Sequence, residues 1–508
     1  MEITFPALLV SVLCFFVLWK LTGLFIKSSE RTDSPRKLPG PWKLPLIGSM
    51  HHLAGSLPHH ALRDLAEKFG PIMHLQMGEI STVVISAPQE AKEVLKVHDI
   101  IFADRPEFLA SKILGYDNLD IAFSPYGDYW KQMRKICLLE LLSPKSVRSF
   151  GTLREDEASK VIRSIKSSNS PVNITDKAFT FTNDIVCRAA FGKSFAHQDR
   201  LITLINGAIS ASGGFDIADL FPSLKFLHSL SGLKPKLIKL HNEIDQMLET
   251  IISERKQKRA NQSTPVGSQL EVEDLVDVLL RLKESGDFNI PISTDSVKAV
   301  IWDIFAAGTE TSAATIDYAM AELIRNPGAM EKVQAELRQV LKGKETVQET
   351  ELKELNYLKA VIKETLRLHP PLPLILPREG REPCKIGGYD IPVKTKVMIN
   401  AWAIHRHPEV WPNPEKFKPE RFLDSGSDSI GMNFEYIPFG GGRRICPGVS
   451  FGSAGVELLL AKLLYHFDWS LPNGTVSPET PDMTEVFGAT ARRKSSLILV
   501  ATYHDPFA

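Results

Sequence analysis

The stretch Phe439-Gly440-Gly441-Gly442-Arg443-Arg444-Ile445-Cys446-Pro447-Gly448 places one cysteine between a glycine-rich loop and an apolar helix. The helix is indicated by apolar residues that recur at helical spacing on one face: Val456, Leu459, Leu460, Leu463, Leu464 and Phe467. A thiolate before such a helix faces free backbone amides and a basic side chain, and both favour the ionised sulfur. The pattern therefore predicts that Cys446 acts as a thiolate.

The loop around Cys446 also suits a large, flat ligand. Its three glycines tolerate a positive φ and let the backbone pass close to such a group. An anionic sulfur, amide donors to that sulfur and a nearby cation are the features of an iron–thiolate site. A lone cysteine after a turn is more often a buried structural residue, but the full spacing Phe-x-x-Gly-x-Arg-x-Cys-x-Gly is far more specific.

Length and composition exclude several classes of function. The chain has 508 residues, enough for a large catalytic unit, and its formal net charge of zero gives no indication of nucleic-acid binding. Its five cysteines lack paired spacing, which is typical of a reducing compartment and not of a disulfide framework: Cys14, Cys137, Cys187, Cys384 and Cys446. The sequence contains no C-x-x-C pair of the zinc-binding kind.

Residues 1–26 are predicted to span a membrane once. The segment is apolar from Ile3 to Trp19 and again from Leu21 to Ile26, about the 20 residues that a span requires. Basic residues follow it and place the rest of the chain in the cytosol: Lys27, Arg31, Arg36 and Lys37. A cleaved secretory signal is the alternative, but the charge order is inverted and no small-x-small cleavage pattern follows.

Residues 27–48 are predicted to form a basic, proline-rich hinge between this anchor and the body of the protein. The segment Leu38-Pro39-Gly40-Pro41-Trp42-Lys43-Leu44-Pro45 makes the hinge a semi-rigid spacer. Residues 49–508 then form one catalytic domain, because helical patterns resume directly after the polar segment 256–267.

Several segments have clear secondary-structure patterns. Residues 60–69 predict a helix, and the short alternating runs 72–77 and 82–85 predict a hairpin of strands. The longest helical pattern covers residues 294–325, with Ser293 or Thr294 as its N-cap. The apolar run from Leu372 to Leu376 predicts a strand in the core.

The central part of this long helix carries small and polar residues on its apolar face. Ala307 and Gly308 leave room for a bulky partner, and the Thr311 hydroxyl can bond back to the Ala307 carbonyl. Glu310 adds an acid beside them, so that a hydroxyl and a carboxyl are available for proton delivery. The alternative is an ordinary core helix with a small-residue crossing and a solvated acid.

Taken together, the motifs resemble the cytochrome P-450 family over essentially the whole chain, in the family's order and spacing. The resemblance implies a mainly α fold with small β-sheets, the cytochrome P-450 fold, preceded by a single N-terminal transmembrane helix. In detail the chain is similar to plant sesquiterpene oxidases, with shared stretches such as Tyr126-Gly127-Asp128-Tyr129-Trp130 and Gly213-Gly214-Phe215-Asp216.

The resemblance also implies the cofactor and its residues. Haem b, iron protoporphyrin IX, is implied with Cys446 as the axial ligand of the iron. Further residues implied to bind or line haem are Arg444, Trp130, Arg134, Arg378, Phe439, Gly440, Ala307 and Gly308. Thr311 and Glu310 are implied as the catalytic residues for proton delivery. Glu364, Arg367 and Arg421 are implied to form a buried structural triad that holds the cysteine loop.

The implied function is a haem-thiolate monooxygenase that hydroxylates a hydrophobic plant metabolite with O2, most often a terpenoid such as a sesquiterpene or diterpene. No convincing nicotinamide or flavin motif is present, so electrons from NADPH are implied to come through NADPH–cytochrome P-450 reductase, with Lys131, Lys135 and Arg443 available for docking. The implied location is the endoplasmic reticulum membrane, with a single span and a cytosolic catalytic domain.

Three alternatives remain open. The substrate can be an alkaloid or a phenolic compound; the protein can be an isomerase or dehydratase of the same fold that needs no reductase; or it can be a non-catalytic haem-binding membrane protein. The predicted substrate contacts are mostly apolar: Ile113, Leu114, Asp303, Ala306, Leu372, Leu374, Ile375, Val486 and Phe487.

Overall fold

The computed structural model describes residues 37–168, 170–192, 198–213, 216–224, 232–261, 273–286, 288–423, 433–472 and 480–507. The predicted membrane span and the first part of the predicted hinge lie outside these ranges. Within the described ranges, no helix combines the length and the apolar character needed to cross a membrane.

Helices are the main secondary structure of the described chain. In order they are α1 (Pro58–Phe69), α2 (Pro88–Lys92), α3 (Leu109–Leu114), α4 (Asp128–Ile136), α5 (Pro144–Ser149), α6 (Gly151–Lys166), α7 (Ile174–Phe191), α8 (Gln198–Ala211), α9 (Ile217–Leu220), α10 (Leu233–Asn261), α11 (Leu275–Ser285), α12 (Thr294–Arg325), α13 (Pro327–Val340), α14 (Asn356–Leu368), α15 (Ala401–Ile404) and α16 (Val449–His466). The cysteine loop contains one 3-10 turn, Gly442–Arg444.

The strands are short and form small sheets. They are β1 (Ile72–Met77), β2 (Ile80–Ile85), β3 (Val172–Asn173), β4 (Arg378–Glu379), β5 (Cys384–Ile386), β6 (Tyr389–Ile391), β7 (Lys396–Ile399), β8 (Phe467–Ser470), β9 (Glu485–Phe487), β10 (Ala491–Arg493) and β11 (Ile498–Tyr503). One sheet has the order β1-β2-β7-β4 and another the order β3-β11-β8, while β5 pairs with β6 and β9 with β10. The predicted hairpin is confirmed as β1 and β2, with Ile72 opposite Ile85.

Helix α12 is the axis of the fold and has the bounds that its pattern predicts. It is 32 residues long, about 48 Å at 1.5 Å per residue. The Ser293 hydroxyl accepts a hydrogen bond from the Ser296 amide at 2.9 Å, which confirms Ser293 as the N-cap. Residues 312–323 are all buried, because α7, α14 and α16 pack around them. This second half of α12 is therefore held rigidly by its neighbours, and it supports the less buried stretch before it, which borders the candidate site.

The described part of the predicted hinge is bound to the domain. The His74 amide donates to the Pro39 carbonyl at 2.8 Å, and the Ser49 amide donates to the Gln76 carbonyl at 2.6 Å. A Cβ added to Gly40 would lie only 2.2 Å from the His74 carbonyl oxygen. Strand β1 lies at the edge of its sheet, so these hydrogen bonds to the segment pair its outer backbone groups and cover that edge. The described part of the segment is therefore docked on the sheet.

The expectation of a core strand from Leu372 to Leu376 is wrong, because this run forms turns. Prolines at 371, 373 and 377 carry no N–H for a strand ladder. Ile375 has a φ of 50°, which is incompatible with a strand. The pairing begins only at Arg378, opposite Val397.

Candidate active site

The cysteine loop turns through two glycines with positive φ, 72° at Gly440 and 66° at Gly442. A Cβ added to Gly442 would lie 2.3 Å from the Leu95 carbonyl oxygen, so no larger residue fits there. The Cys446 amide donates to the Phe439 carbonyl at 3.0 Å and closes the loop directly before α16. The close approach at Gly442 is thus to the protein's own backbone.

The Cys446 sulfur faces an internal space. Its side chain is exposed, yet burial among protein atoms raises the pKa of its thiol, against the lowering effects of the Gly448 amide and Arg134. A side chain that borders a cavity inside the protein can be both accessible and surrounded by protein atoms. The predicted amide and cation are present and both lower the pKa of the thiol, but burial outweighs them.

Helix α12 borders the same region as the cysteine helix. A Cβ added to Gly452 in α16 would lie 3.2 Å from the Ser312 hydroxyl in α12, so the two helices touch one position beyond Thr311. The Thr311 hydroxyl donates to the Ala307 carbonyl at 2.6 Å, which confirms the predicted back-bond. Ala307 is exposed although it lies between the buried residues Phe305 and Thr309. This face of α12 is therefore open to the internal space.

Gly308 has a different role in the packing from the one predicted. A Cβ added there would lie 3.1 Å from the Val186 side chain in α7. The small residue thus allows α7 and α12 to pack closely. The Thr182 hydroxyl of α7 also donates to the Thr309 carbonyl at 3.0 Å. Gly308 as a residue that lines the cofactor remains a prediction.

Glu310 is buried and tied to β10. Its Oε1 lies 3.3 Å from Arg492 Nε, and its Oε2 has no hydrogen-bond partner. Burial raises the pKa of Glu310, while Thr490 and Arg492 lower it. The carboxyl group therefore holds a proton more readily than an exposed glutamate does.

The predicted residues Trp130, Arg134, Arg378 and Arg444 are buried and close together. The Arg444 guanidinium lies 4.1 Å from the Trp130 ring centre, and Arg134 donates to the Ile445 carbonyl beside Cys446. Arg378 donates to the Gly441 carbonyl at 2.6 Å, which connects it to the same loop. The structure therefore brings these four side chains together around the cysteine loop.

A fifth member, Arg105, was not found by sequence reasoning. Its guanidinium donates to the carbonyls of Leu376 and Pro377 at 2.7 and 2.8 Å and to that of Ala122 at 2.9 Å. Burial, then Arg444 and Arg378, lower the pKa of Arg105. It lies in an irregular segment with no periodic pattern, so only tertiary contacts reveal it.

The arginines repel one another. Burial, then Arg378, lower the pKa of Arg444 to about 9, and burial lowers the pKa of Arg378 to about 10 despite Asp99. Most of their hydrogen bonds go to neutral backbone carbonyls, and Arg378 Nε is buried without a partner. Such a cluster is stabilised by an anion that bears more than one carboxylate.

The predicted triad is assembled below the loop. Arg367 forms a bidentate pair with Glu364 at 2.7 and 2.9 Å, and neither side chain is exposed. Arg421 Nε lies 3.3 Å from Glu364 Oε1. Arg367 also donates to the carbonyls of His405 and Pro414. The triad therefore joins α14 to the segment that precedes the cysteine loop.

His405, also missed in the sequence, connects the triad with the loop. Its Nδ1 lies 3.2 Å from the Arg367 carbonyl, and the Ile437 amide donates to its Nε2 at 2.9 Å. These bonds fix the neutral Nδ1–H tautomer. Burial and two neighbouring arginines lower the pKa of His405 to about 3. Ile437 is two residues before Phe439, so His405 holds the base of the loop.

The predicted substrate contacts lie on several elements. Ile113 and Leu114 belong to α3, Ala306 to α12, and Val486 and Phe487 to β9. Another group lies in the turns before β4, where the Ile375 side chain is 3.5 Å from the Cβ position of Gly440: Leu372, Leu374 and Ile375.

Asp303, the remaining predicted contact, is engaged with protein. Its Oδ2 accepts hydrogen bonds from the amides of Ile121 and Ala122 at 2.7 and 3.2 Å. Burial, then Asp120, raise its pKa well above the ordinary value. Asp303 thereby fixes the segment whose Ile121 carbonyl accepts from Trp130.

Comparisons with known proteins establish the family of this chain. The family model described as cytochrome P450 matches residues 38–498. The chain belongs to the cytochrome P450 family. It is 55% identical to premnaspirodiene oxygenase of Hyoscyamus muticus over 98% of this chain and 99% of that protein. It is 51% identical to a germacrene A hydroxylase of Barnadesia spinosa over 99% and 98% of the two chains. As a cytochrome P450, it is a haem enzyme of the monooxygenase class.

Solved structures agree on the fold. A zebra fish cytochrome P450 structure with abiraterone superimposes with a TM-score of 0.74 at 25% identity, covering 88% of this chain and 99% of that one. The mainly helical cytochrome P450 fold with small sheets is thereby confirmed.

The residues around the cysteine loop fit haem. The sulfur of Cys446 borders an internal space, as an axial ligand requires. The partly unneutralised arginine cluster fits the two carboxylates of a protoporphyrin. The donor set of this cytochrome P450 thus agrees with the cofactor of its family.

Proposed function

We propose that this cytochrome P450 hydroxylates a hydrophobic terpenoid, a sesquiterpene or diterpene, with O2 and electrons from NADPH through cytochrome P-450 reductase. The observation that carries the proposal is the identity of more than half over almost the full length to two relatives named for oxygenating premnaspirodiene and germacrene A.

The chemistry of the candidate contacts supports an apolar substrate. Eight of the nine predicted contact residues are aliphatic or aromatic, and a mostly apolar lining favours a hydrophobic ligand. Asp303 is the exception, and its Oδ2 already accepts from two backbone amides. A polar or cationic substrate would therefore lack a free charged partner among the predicted contacts.

Each group near the cysteine loop has a proposed part. Bound haem supplies the reductive activation of O2 and the transfer of one oxygen atom to the substrate. Cys446 would hold its iron, and Arg134, Arg378, Arg444 and Trp130 would bind its carboxylates, with Arg105 as an added candidate. Thr311, with Glu310 behind it, would carry protons into the space above the cofactor.

Replacing Thr311 by alanine is expected to lower the hydroxylated product formed per NADPH consumed by roughly ten- to a hundredfold. The reason is loss of the hydroxyl that bridges to the Ala307 carbonyl, while NADPH oxidation continues. Product and NADPH are to be measured together in reconstituted membranes. Thr311→Ser restores the hydroxyl and should stay near the native ratio.

Thr315→Ala is the matched control, because this threonine makes the same back-bond one turn later, to the Thr311 carbonyl at 2.9 Å. It is expected to keep the native ratio of product to NADPH. A native ratio in Thr311→Ala would remove Thr311 from the proposed proton path.

A groove near the cysteine loop supports reductase docking. It has a volume of about 390 Å³ and combines basic with exposed apolar side chains: Lys131, Lys135, Arg443, Leu138 and Leu139. The groove also contains Arg134, which contacts the residue before Cys446. A basic rim attracts an acidic partner surface at a long range. We take this groove as the proposed docking surface.

We further propose that residues 1–26 anchor the protein in the endoplasmic reticulum membrane, with residues 27–48 as the connecting segment and residues 49–508 as the cytosolic catalytic domain. Apolar side chains exposed near the start of the described chain support contact with a membrane surface: Trp42, Leu44, Leu46 and Ile47. Carbonate-washed microsomes should retain the full chain, and protease added outside them should digest the domain. Release of the chain, or protection of the domain, would contradict this topology.

The substrate proposal is tested with microsomes that contain the full chain, with and without reductase and NADPH. A panel of sesquiterpenes, diterpenes, alkaloids and phenolics is supplied, and products are read by mass. The expected result is a gain of one oxygen atom on a terpenoid, only with reductase. Conversion of phenolics or alkaloids alone would favour that substrate class, and conversion without reductase would favour an isomerase or dehydratase.

A further inference from the structure

A buried carboxylate at the start of β9 is surrounded by side chains from distant parts of the chain. Glu485 Oε2 lies 3.0 Å from His59 Nε2 in α1, and Glu485 Oε1 accepts from the Tyr318 hydroxyl in α12 at 3.2 Å. His369 Nδ1, just after α14, is 3.7 Å from the same carboxylate, and His60 Nε2 is 3.9 Å away. No step of the proposed mechanism uses these groups.

The partners of Glu485 are themselves fixed. His59 is fully buried, and its carbonyl accepts from Asn400 at 2.8 Å. The His369 ring stacks on Tyr318 with centres 4.2 Å apart, and its Nε2 lies 2.8 Å from Glu322. Burial alone would raise the pKa of Glu485, but the nearby His369 and the hydrogen bond with His59 hold it well below its usual range. Glu485 is therefore a charged side chain that is held in place by fixed neighbours.

The hairpin that follows Glu485 depends on such side-chain anchors. Strand β9 has three residues and pairs with β10, Val486 opposite Arg492. A two-stranded hairpin this short is marginally stable alone. Its second anchor is Arg493, whose Nε donates to Asp317 in α12 at 2.7 Å. Glu485 and Arg493 thus tie both strands to neighbouring positions of the central helix.

We infer that Glu485 is a positioning residue that sets product selectivity, because it fixes the neighbouring Val486 and Phe487, two of the proposed substrate contacts. The inference rests on the proposed function, in which these two apolar side chains contact the substrate. A displacement of the order of 1 Å at such contacts is enough to change which carbon reacts.

A metal ion is the competing explanation of the cluster. The ligand atoms of His59, His60 and Glu485 lie within 4.8 Å of one another. However, His59 and Glu485 already bond directly, and burial, then the neighbouring His59, lower the pKa of His60 to about 4. Arg63 and Arg406 lower it further and would repel a cation. We therefore base the proposal on the direct hydrogen bonds of Glu485 and not on a bound metal ion.

The test compares Glu485→Ala and Glu485→Gln with the native full chain in membranes that contain reductase. We expect the ratio of hydroxylated regioisomers to change at least fivefold in Glu485→Ala and less in Glu485→Gln, which keeps the side-chain shape. The haem content from the reduced carbonyl spectrum should stay native. Asp482→Asn is the matched control, because this acid bonds Thr484 and Ser495, which flank the β9–β10 hairpin on its two sides; it should leave the ratio unchanged.

A double variant, His59→Gln with Glu485→Gln, distinguishes positioning from general damage. If both act through their shared contact, the double variant should change the ratio no more than the larger single change. Additive changes, or ratios within twofold of native in both Glu485 variants at native haem content, would overturn the inference. A native ratio that responds to EDTA or added Zn²⁺ would also overturn it, in favour of a metal ion.

A second measurement, phenylimidazole binding, tests the role of Glu485 independently of the proposed function. The ligand's affinity, read from its haem difference spectrum, needs no terpenoid turnover. We expect it to change at least fivefold in Glu485→Ala and not in Asp482→Asn. If the native protein converts no terpenoid, the substrate proposal fails while this measurement still decides the role of Glu485, and an unchanged affinity would overturn it.

Discussion

Replacing Cys446 by serine is expected to abolish turnover and leave the fold in place. Serine keeps the shape and the backbone amide, so the bond to the Phe439 carbonyl that closes the loop persists. It removes the soft anionic ligand on which the cofactor's reactivity depends. The rate of product formation should fall at least about a thousandfold, or about 4 kcal/mol of activation free energy.

The measurements are the reduced carbonyl spectrum and product formation with reductase and NADPH. The thiolate type of spectrum should disappear in Cys446→Ser. Cys384→Ser is the matched control, a half-buried cysteine in β5 away from the loop, and should behave as native protein. Native spectrum and turnover in Cys446→Ser would disprove the assignment of the axial ligand.

Replacing Arg367 by lysine is expected to unfold the region below the cysteine loop, although the charge is retained. The Arg367 guanidinium donates two hydrogen bonds to Glu364 and one to each of three backbone carbonyls. Lysine offers only three donors from one point, so buried acceptors lose their partners. Breaking a buried pair costs about 3–5 kcal/mol, which lowers Tm of a chain of this length by roughly 3–5 °C.

Thermal unfolding and haem content per polypeptide are the readouts, because the triad holds the loop that carries Cys446. Glu364→Gln should have a similar effect, since it leaves the Arg367 charge buried and unpaired. Glu273→Gln is the matched control: it breaks an exposed pair with Arg281, worth less than about 1 kcal/mol. A native Tm and native haem content in Arg367→Lys would show that the triad is dispensable.

Local signals in the sequence identified the cysteine loop, helix α12 with its Ser293 cap, and the pair Glu364–Arg367. Each depends on residues close together in the chain, where spacing alone determines which side chains share a face. The same logic failed for Leu372 to Leu376, because apolar character suggested a strand where prolines and a positive φ produce turns.

The missed residues depend on contacts between distant segments. Arg105 reaches carbonyls 271 positions later in the chain, and His59 meets Glu485 across 426 positions. The sequence around each offers no periodicity or motif that would indicate these partners. Gly308 is a related case. The sequence suggested that this glycine leaves room for a neighbour, but it did not indicate that helix α7 is the neighbour.

Helix α12 is held at both ends, which has a consequence for how this protein can diversify. Near its start, Lys298 pairs with Asp245 and Glu249 of α10 at 2.8 and 2.7 Å. Near its end, Tyr318 and Asp317 hold the β9–β10 hairpin. The β9–β10 hairpin, which carries two of the proposed substrate contacts, is thus fixed to one rigid helix. Exchanges at Val486 or Phe487 can then alter the volume offered to a substrate without moving the backbone, so new selectivity can evolve by single side-chain steps.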